Sequence, residues 1–325
     1  MQRQWHNAVM AVAVCIIASG CAGISGGVTA GLEDVDDTIE LTEVPFFPQV
    51  TDQCGPAALA TILNASGVGA DPEALKSRIY IPGREGSLQL ELLAATRAYD
   101  RLAYSIDPDL QALVAELRAG RPVLVLQNLG IGLAPVWHYA VVVGYLPEDR
   151  RFVLRSGDQR RYLIDARRFV RTWHRAENWG VVALRPDELP AQPDAQRYLR
   201  SVAALESVGA TSAARSGYRA AVEQWPLNGL AWLGLGNASY AEGDLDIARL
   251  AYQAMLDLEP GNLIALNNIA QVKAEQGCIR EARDAIDQAF SILAPGDPMH
   301  QHLRQTRREI EARPLADTRA CRVAL

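Results

Sequence analysis

The chain has 325 residues, 49% hydrophobic and 22% charged, with 25 Gly and 17 Pro, an ordinary globular composition that excludes a disordered, collagen-like or multi-span membrane chain. The length exceeds the roughly 100–200 residues of an average domain, so two folded units with connecting and targeting sequence are expected. The formal net charge is -6, and the arginines are scattered rather than gathered into a basic stripe, which removes nucleic acid as a partner.

The five cysteines, at 15, 21, 54, 278 and 321, lack the close spacing of a zinc or dithiol site. No phosphate loop, metal-ligand cluster or dinucleotide fingerprint appears, so neither a metal nor a cofactor is expected. Residues 1–20 begin with one arginine, Arg3, run apolar from Ala8 to Ala18 and end in small residues. This is a secretory signal, too short in its apolar part to span about 30 Å of hydrocarbon. Ala18-Ser19-Gly20-Cys21 resembles a bacterial lipobox, which implies lipid attachment at Cys21. With Ala22 following the cysteine, the resemblance also implies an outer-membrane lipoprotein facing the periplasm, held by acyl chains instead of a helix. Residues 21–43, rich in Gly, Ser and Ala and then acidic, have no hydrophobic period and read as a flexible tether.

From Val44 to about 187 the chain alternates short apolar runs with amphipathic helices. The stretch VPFFPQVTDQCGPAALATILNASGVG puts Cys54 at a loop-to-helix junction, with Pro56 in the first turn and Gly67 past the end. A thiol there meets unpaired backbone N–H groups and the positive end of the helix dipole, which favour thiolate. The alternative is a buried cysteine acting as a small hydrophobe, but polar Thr51, Asp52 and Gln53 argue for the edge of a cleft. A thiolate nucleophile needs a base. His6 lies in the signal and His300 and His302 near the carboxy terminus, leaving His138 and His174. His138 opens a β-branched run, HYAVVVGYL, at the end of a strand, whereas His174 follows FVRTW on a helix among arginines and reads as a solvated face. His138 is the better base.

QVTDQCGPAALATIL followed by WHYAVVVGY resembles the bacteriocin-processing, double-glycine-type cysteine peptidases of the papain-like superfamily, over about Val44 to Arg185. The resemblance implies an α+β papain-like fold, with Cys54 on a helix packed against an antiparallel sheet carrying His138, and Gln49 donating to the oxyanion. Adjacent Gln53 is the other candidate. The family places an aspartate followed by proline on the strand after the histidine. Here that strand reads FVLRSGDQRRYLI, so either Asp158 orients the imidazole or Ser156 occupies the aspartate's place.

Helices are predicted at Asp71–Ile79, Ser87–Tyr99 with Ser87 as cap, and Asp109–Ala119. Strands are predicted at Leu102–Ile106, Pro122–Leu126, His138–Val143, Arg151–Leu154, Tyr162–Ile164 and Gly180–Leu184. The Gly-rich LQNLGIGLAPVW between two strands either lines a cleft beside Trp137 or simply connects.

Residues 188–194, inside DELPAQPDAQ, read as a linker. Beyond it the chain repeats. Pro226-Leu227-Asn228 recurs 34 residues on as Pro260-Gly261-Asn262, and Tyr198, Trp232 and Leu266 correspond, as do Ala214, Ala248 and Ala282, and Tyr218, Tyr252 and Ile286. This resembles the tetratricopeptide repeat, three copies over 195–294, which implies an all-α solenoid whose concave face binds a peptide or protein partner. A spacer or stabilising cap is the alternative. Residues 295–325 form a terminal helix and tail, with Met299 to Ala312 the helix. Cys278 reads as structural, and pairing with Cys321 is open.

The expected function is an envelope-anchored cysteine peptidase cutting a peptide, with small residues such as Gly-Gly before the bond. Two alternatives stand beside it: an inactive papain-like adaptor lipoprotein, and a hydrolase of cell-wall peptide.

Overall fold

The computed structural model describes residues 29–48, 54–81, 83, 86–131 and 134–314. They divide into two compact units. The first comprises the described residues up to Ala65, then Gly69–Ser87 and Ile106–Val181. The second comprises Ser66–Val68, Leu88–Ser105 and the described residues from Val182 on. No described helix is long and apolar enough to cross a membrane.

A sheet runs in the order β2 (Leu102–Ser105), β7 (Gly180–Leu184), β3 (Val123–Asn128), β4 (Trp137–Leu146), β5 (Arg151–Ser156) and β6 (Gln159–Asp165), antiparallel from β7 to β6, and a short β1 (Ile39–Glu40) pairs with the far end of β4. β4 is buried from Tyr139 to Tyr145. A strand covered on both faces needs no polar alternation, which is why its sequence is a β-branched run. Helix α1 (Cys54–Ala65) packs on β4. Every residue from Gly55 to Leu63 is buried, as expected of a helix apolar all round. Helix α2 (Pro72–Ile79) is capped by Asp71, whose carboxylate accepts from Ala74 N. Asp109 caps α4 (Leu110–Arg118) in the same way.

Helix α5 (Ala166–His174), capped by Asp165, buries Phe169, Thr172 and Trp173. An aromatic chain runs from Tyr145 to Phe152 at 4.9 Å, on to Phe169 at 4.5 Å and to Trp173 at 5.6 Å between ring centroids. Each such ring contributes roughly 1.5–3 kcal/mol on burial, so this chain fastens α5 to the sheet.

Three predictions are revised here. Residues 29–43, expected as tether, lie on the first unit. Leu32 and Val35 are buried, β1 joins the sheet, and Glu40 forms an ion pair with Arg161 at 2.8 Å. The acidic composition that suggested a solvated segment instead supplies partners for basic strand residues. Arg155 extends the attachment. It is buried, and its guanidinium donates to the carbonyls of Leu41, Thr42 and Val44. Second, Ser87 does not cap the following helix. Helix α3 (Gln89–Arg97) starts after Leu88 without a side-chain cap, and the Ser87 carbonyl accepts from the Tyr139 hydroxyl at 3.2 Å. Third, the residues read as a linker are tied down: the Tyr104 hydroxyl donates to Gln192 O and accepts from Asp194 N, each at 3.4 Å.

The second unit continues through α6 (Ala195–Glu206), α7 (Thr211–Gln224), α8 (Gly229–Ala241), α9 (Leu245–Leu258), α10 (Leu263–Glu275), α11 (Ile279–Ile292) and α12 (His300–Glu311). The period of 34 residues is visible in every layer. Ala214, Ala248 and Ala282 are fully buried at close helix crossings. Gly209, Gly243 and Gly277 hold φ of 82°, 79° and 81° at the turn inside each pair, a left-handed conformation that glycine adopts without cost. The terminal helix α12 buries Leu303, Thr306 and Ile310 and exposes Arg304, Arg308, Glu309 and Glu311, as a capping unit does. Cys278 is disulfide-bonded, and Cys321 lies outside the described residues.

Candidate active site

Cys54 is the first residue of α1, half-buried and outside any disulfide. No acidic residue occupies the first turn, so nothing there opposes the positive end of the helix dipole, which favours an anion. The helix start lies against β4. A side chain at Gly55 would come within 3.6 Å of the Tyr139 ring and closer still to Ser87, so glycine after the cysteine is what lets the nucleophile's turn sit against the strand. Burial, and after it the charge of Cys54, push the Tyr139 phenol up. The Ser87 hydroxyl is buried beside Gly55 with no hydrogen-bond partner among the described residues.

His138 is the second residue of β4. Its Nε2 and the Ser156 hydroxyl are 2.8 Å apart. Burial holds the imidazole below its usual value, so it is neutral at pH 7 and able to accept a proton. Successive strand residues face opposite ways, so Tyr139 meets α1 on one face and His138 turns to the other. There its cross-strand neighbour Gln127 donates to Thr172 of α5 at 2.7 Å. The Cys54 turn therefore meets β4 at the residue next to His138. Of the predicted site residues, the described structure joins His138 to Ser156 directly and brings the Cys54 turn to the residue beside His138.

Asp158 does not make the orienting hydrogen bond. Carried straight on, the β4–β5 register that pairs Val141 with Arg155 would set Asp158 opposite His138. A register shift between Leu154 and Ser156 and a two-residue turn at Gly157, φ 60°, bend the chain first. Asp158 is exposed in that turn, and Ser156 makes the bond. Gln49 and Gln53, the oxyanion candidates, and Cys21, the lipidation candidate, lie outside the described residues. His174 is exposed on α5. No group of His, Cys, Asp and Glu that would hold a metal occurs among the described residues.

The described parts of the loop after β3, 129–131 and 134–136, are held by hydrogen bonds. Asn128 Oδ1 accepts from Gly130 N and Val136 N, both at 3.0 Å, and Ile131 bridges to Ala134. Leu129, Ile131, Val136 and Trp137 are exposed. The sequence did not reveal the arginines that share a cavity with His138, Arg168, Arg171 and Arg175. Their spacing was readable as one helix face, but not which partner that face would meet.

A cysteine opening a buried helix against a strand that carries histidine belongs to an α+β region, and a helical repeat region follows it. Residues 41–180 match the model of the Peptidase_C39 like family, so an α+β region of C39-like fold precedes a tetratricopeptide-like helical region. Among solved structures, a chain described as a C39-like peptidase from Bacillus anthracis is 17% identical. The match covers 46% of this chain and 98% of that one, with a TM-score of 0.39. The Sgt2 TPR domain from Aspergillus fumigatus is 21% identical over 39% of this chain and 89% of that one, with a TM-score of 0.34. Among curated proteins none matches the chain.

Proposed function

We propose that the chain is a cysteine peptidase held at the bacterial outer membrane by lipid on Cys21, acting in the periplasm on a peptide or protein that the repeats help to present. The observation that carries this reading is the Cys54 turn seated against β4 at Tyr139, the neighbour of His138, within the region that matches the peptidase family.

The chemistry runs in two halves. The Cys54 thiol gives its proton to neutral His138, and the sulfur attacks the peptide carbonyl carbon, forming a C–S bond. The Cys54 N–H and the Gln49 amide stabilise the oxyanion. His138 returns the proton to the leaving amine as the C–N bond breaks, leaving a thioester. Water then attacks the thioester, giving its proton to His138, and the C–S bond breaks to release the acid and restore the thiol. Small residues such as Gly-Gly before the bond are the starting substrates.

Full-length protein and its Cys54→Ala variant, incubated with Gly-Gly peptides and separately with peptidoglycan, test the proposal. Cleavage of the peptides that vanishes in the variant is expected. Release of wall fragments without peptide cleavage would move the substrate to cell-wall peptide. One observation favours a second reading, an inactive adaptor: His138 pairs with the hydroxyl of Ser156, whereas the resemblance implies a carboxylate as its partner. A Cys54→Ala protein that retains its full cellular role would establish the adaptor.

A further inference from the structure

A cavity of about 290 Å³ opens beside His138, and Ser156, Gln127 and Thr172 share its wall. Three arginines of α5 and the turn after it, Arg168, Arg171 and Arg175, also line it, beside Leu129, Tyr162 and Ile164. The arginines stand at i, i+3 and i+7, which places them on one helix face. Arg168 is in the first turn, where the helix dipole disfavours a cation, so helix stability does not account for it.

Among the described residues nothing neutralises their charge. No ion pair among the described residues includes any of the three, and none of the described residues that line the cavity carries a carboxylate. Asp165, the acid just before Arg168, is engaged as the helix cap, accepting from Arg168 N at 3.0 Å. Gln127 is committed to Thr172, and Arg175 donates to Gly130 O at 2.5 Å. The guanidinium groups of Arg168 and Arg171 are exposed and have no side-chain partner among the described residues.

We infer that this cavity binds a carboxylate of the peptide in the site, gripped by Arg168 and Arg171, and so selects substrates with an acidic side chain or a C-terminal carboxylate near the bond cut. Planar guanidinium groups suit a carboxylate because two parallel N–H···O bonds can form. The exposed Leu129, Ile131, Val136 and Trp137 give neighbouring parts of the peptide an apolar contact. The identity of the ligand as a peptide rests on the peptidase reading above; the carboxylate site itself does not.

The test uses full-length Cys54→Ala protein, which cannot turn substrate over, and follows the His138 imidazole by NMR, assigned with His138→Gln. Three probes are added: acetyl-Ala-Ala-Glu-amide, acetyl-Ala-Ala-Gln-amide and acetyl-Ala-Ala-Gln with a free carboxylate. At least tenfold tighter binding of the first than the second is expected, with a shift at His138, and loss of that preference in an Arg168→Gln/Arg171→Gln variant of unchanged circular dichroism. Equal tightness of the third probe would identify the terminal carboxylate as the source. Equal binding of all three, no binding of any, or a preference that survives in the double variant would overturn the inference. Should the carboxylate bind while wild-type protein cuts no peptide, the peptidase reading falls and the anion site stands.

Discussion

At His138 two neighbours set the chemistry. Burial depresses the imidazole's affinity for protons, and Ser156 fixes the ring without adding negative charge. The sign of the pH effect on folding follows. The unfolded imidazole protonates near pH 6.5 and the folded one lower, so between those values the unfolded state holds more protons. Stability from this group is complete above about pH 6.5 and declines as pH falls below it. Chemical denaturation at pH 5.5 and 7.5 should show this loss, and His138→Gln should reduce it. If the peptidase reading holds, the same variant lowers kcat by about 10²–10⁴-fold, the usual contribution of a general base. Ser156→Asp should move the acidic limb of the rate profile to higher pH, because a carboxylate favours imidazolium. An unmoved limb would remove Ser156 from the orienting role. The choice between Asp158 and Ser156 was not legible in the sequence, since both lie within reach of a hairpin end. The register shift before Ser156, a property of paired strands, decides it.

Among elements, helix packing in the repeats was legible and cavity lining was not. The alanines and aromatics recur at a fixed period because each helix pair repeats the same crossing, so the sequence carries the spacing directly. Gly236 shows how tight that crossing is: a methyl group there would collide with the ring of Tyr252. Gly236→Ala is therefore expected to destabilise by about 1–3 kcal/mol even though alanine is the better helix former. A shift of the urea midpoint measures it, and an unchanged or raised midpoint would show that the ring can move aside. The helix α5 arginines are a different case. Their common face follows from sequence, but the strand residues across from it are set by pairing between β3 and β4, segments joined through a long loop.

For the whole molecule, the sequence separated a sheet domain from repeats at residues 188–194. The compact units divide elsewhere, because β2 and α3 fall with the repeats. Tyr104 of β2 carries Arg197 of α6 over its ring at 5.7 Å, and Ser201 donates to Ala103 O at 3.4 Å. Contacts between segments so distant in the chain leave no trace in composition, whereas Pro and polar residues at 188–194 do. A chain ended at residue 187 loses these contacts to β2. It is expected to unfold at a temperature several degrees lower than the sheet transition of the intact protein, read by near-ultraviolet circular dichroism. Equal transitions would mean that the strand is secured without the repeats.

Arg155 grips the strand-side segment only by main-chain oxygens, those of Leu41, Thr42 and Val44. Carbonyls are the same in every amino acid, so this latch is blind to spelling. Randomising the exposed positions Thr42 and Glu43 should leave the fastening intact, while a single replacement of the guanidinium would undo it. Residues 41–44 are thus free to drift in sequence while their path stays fixed.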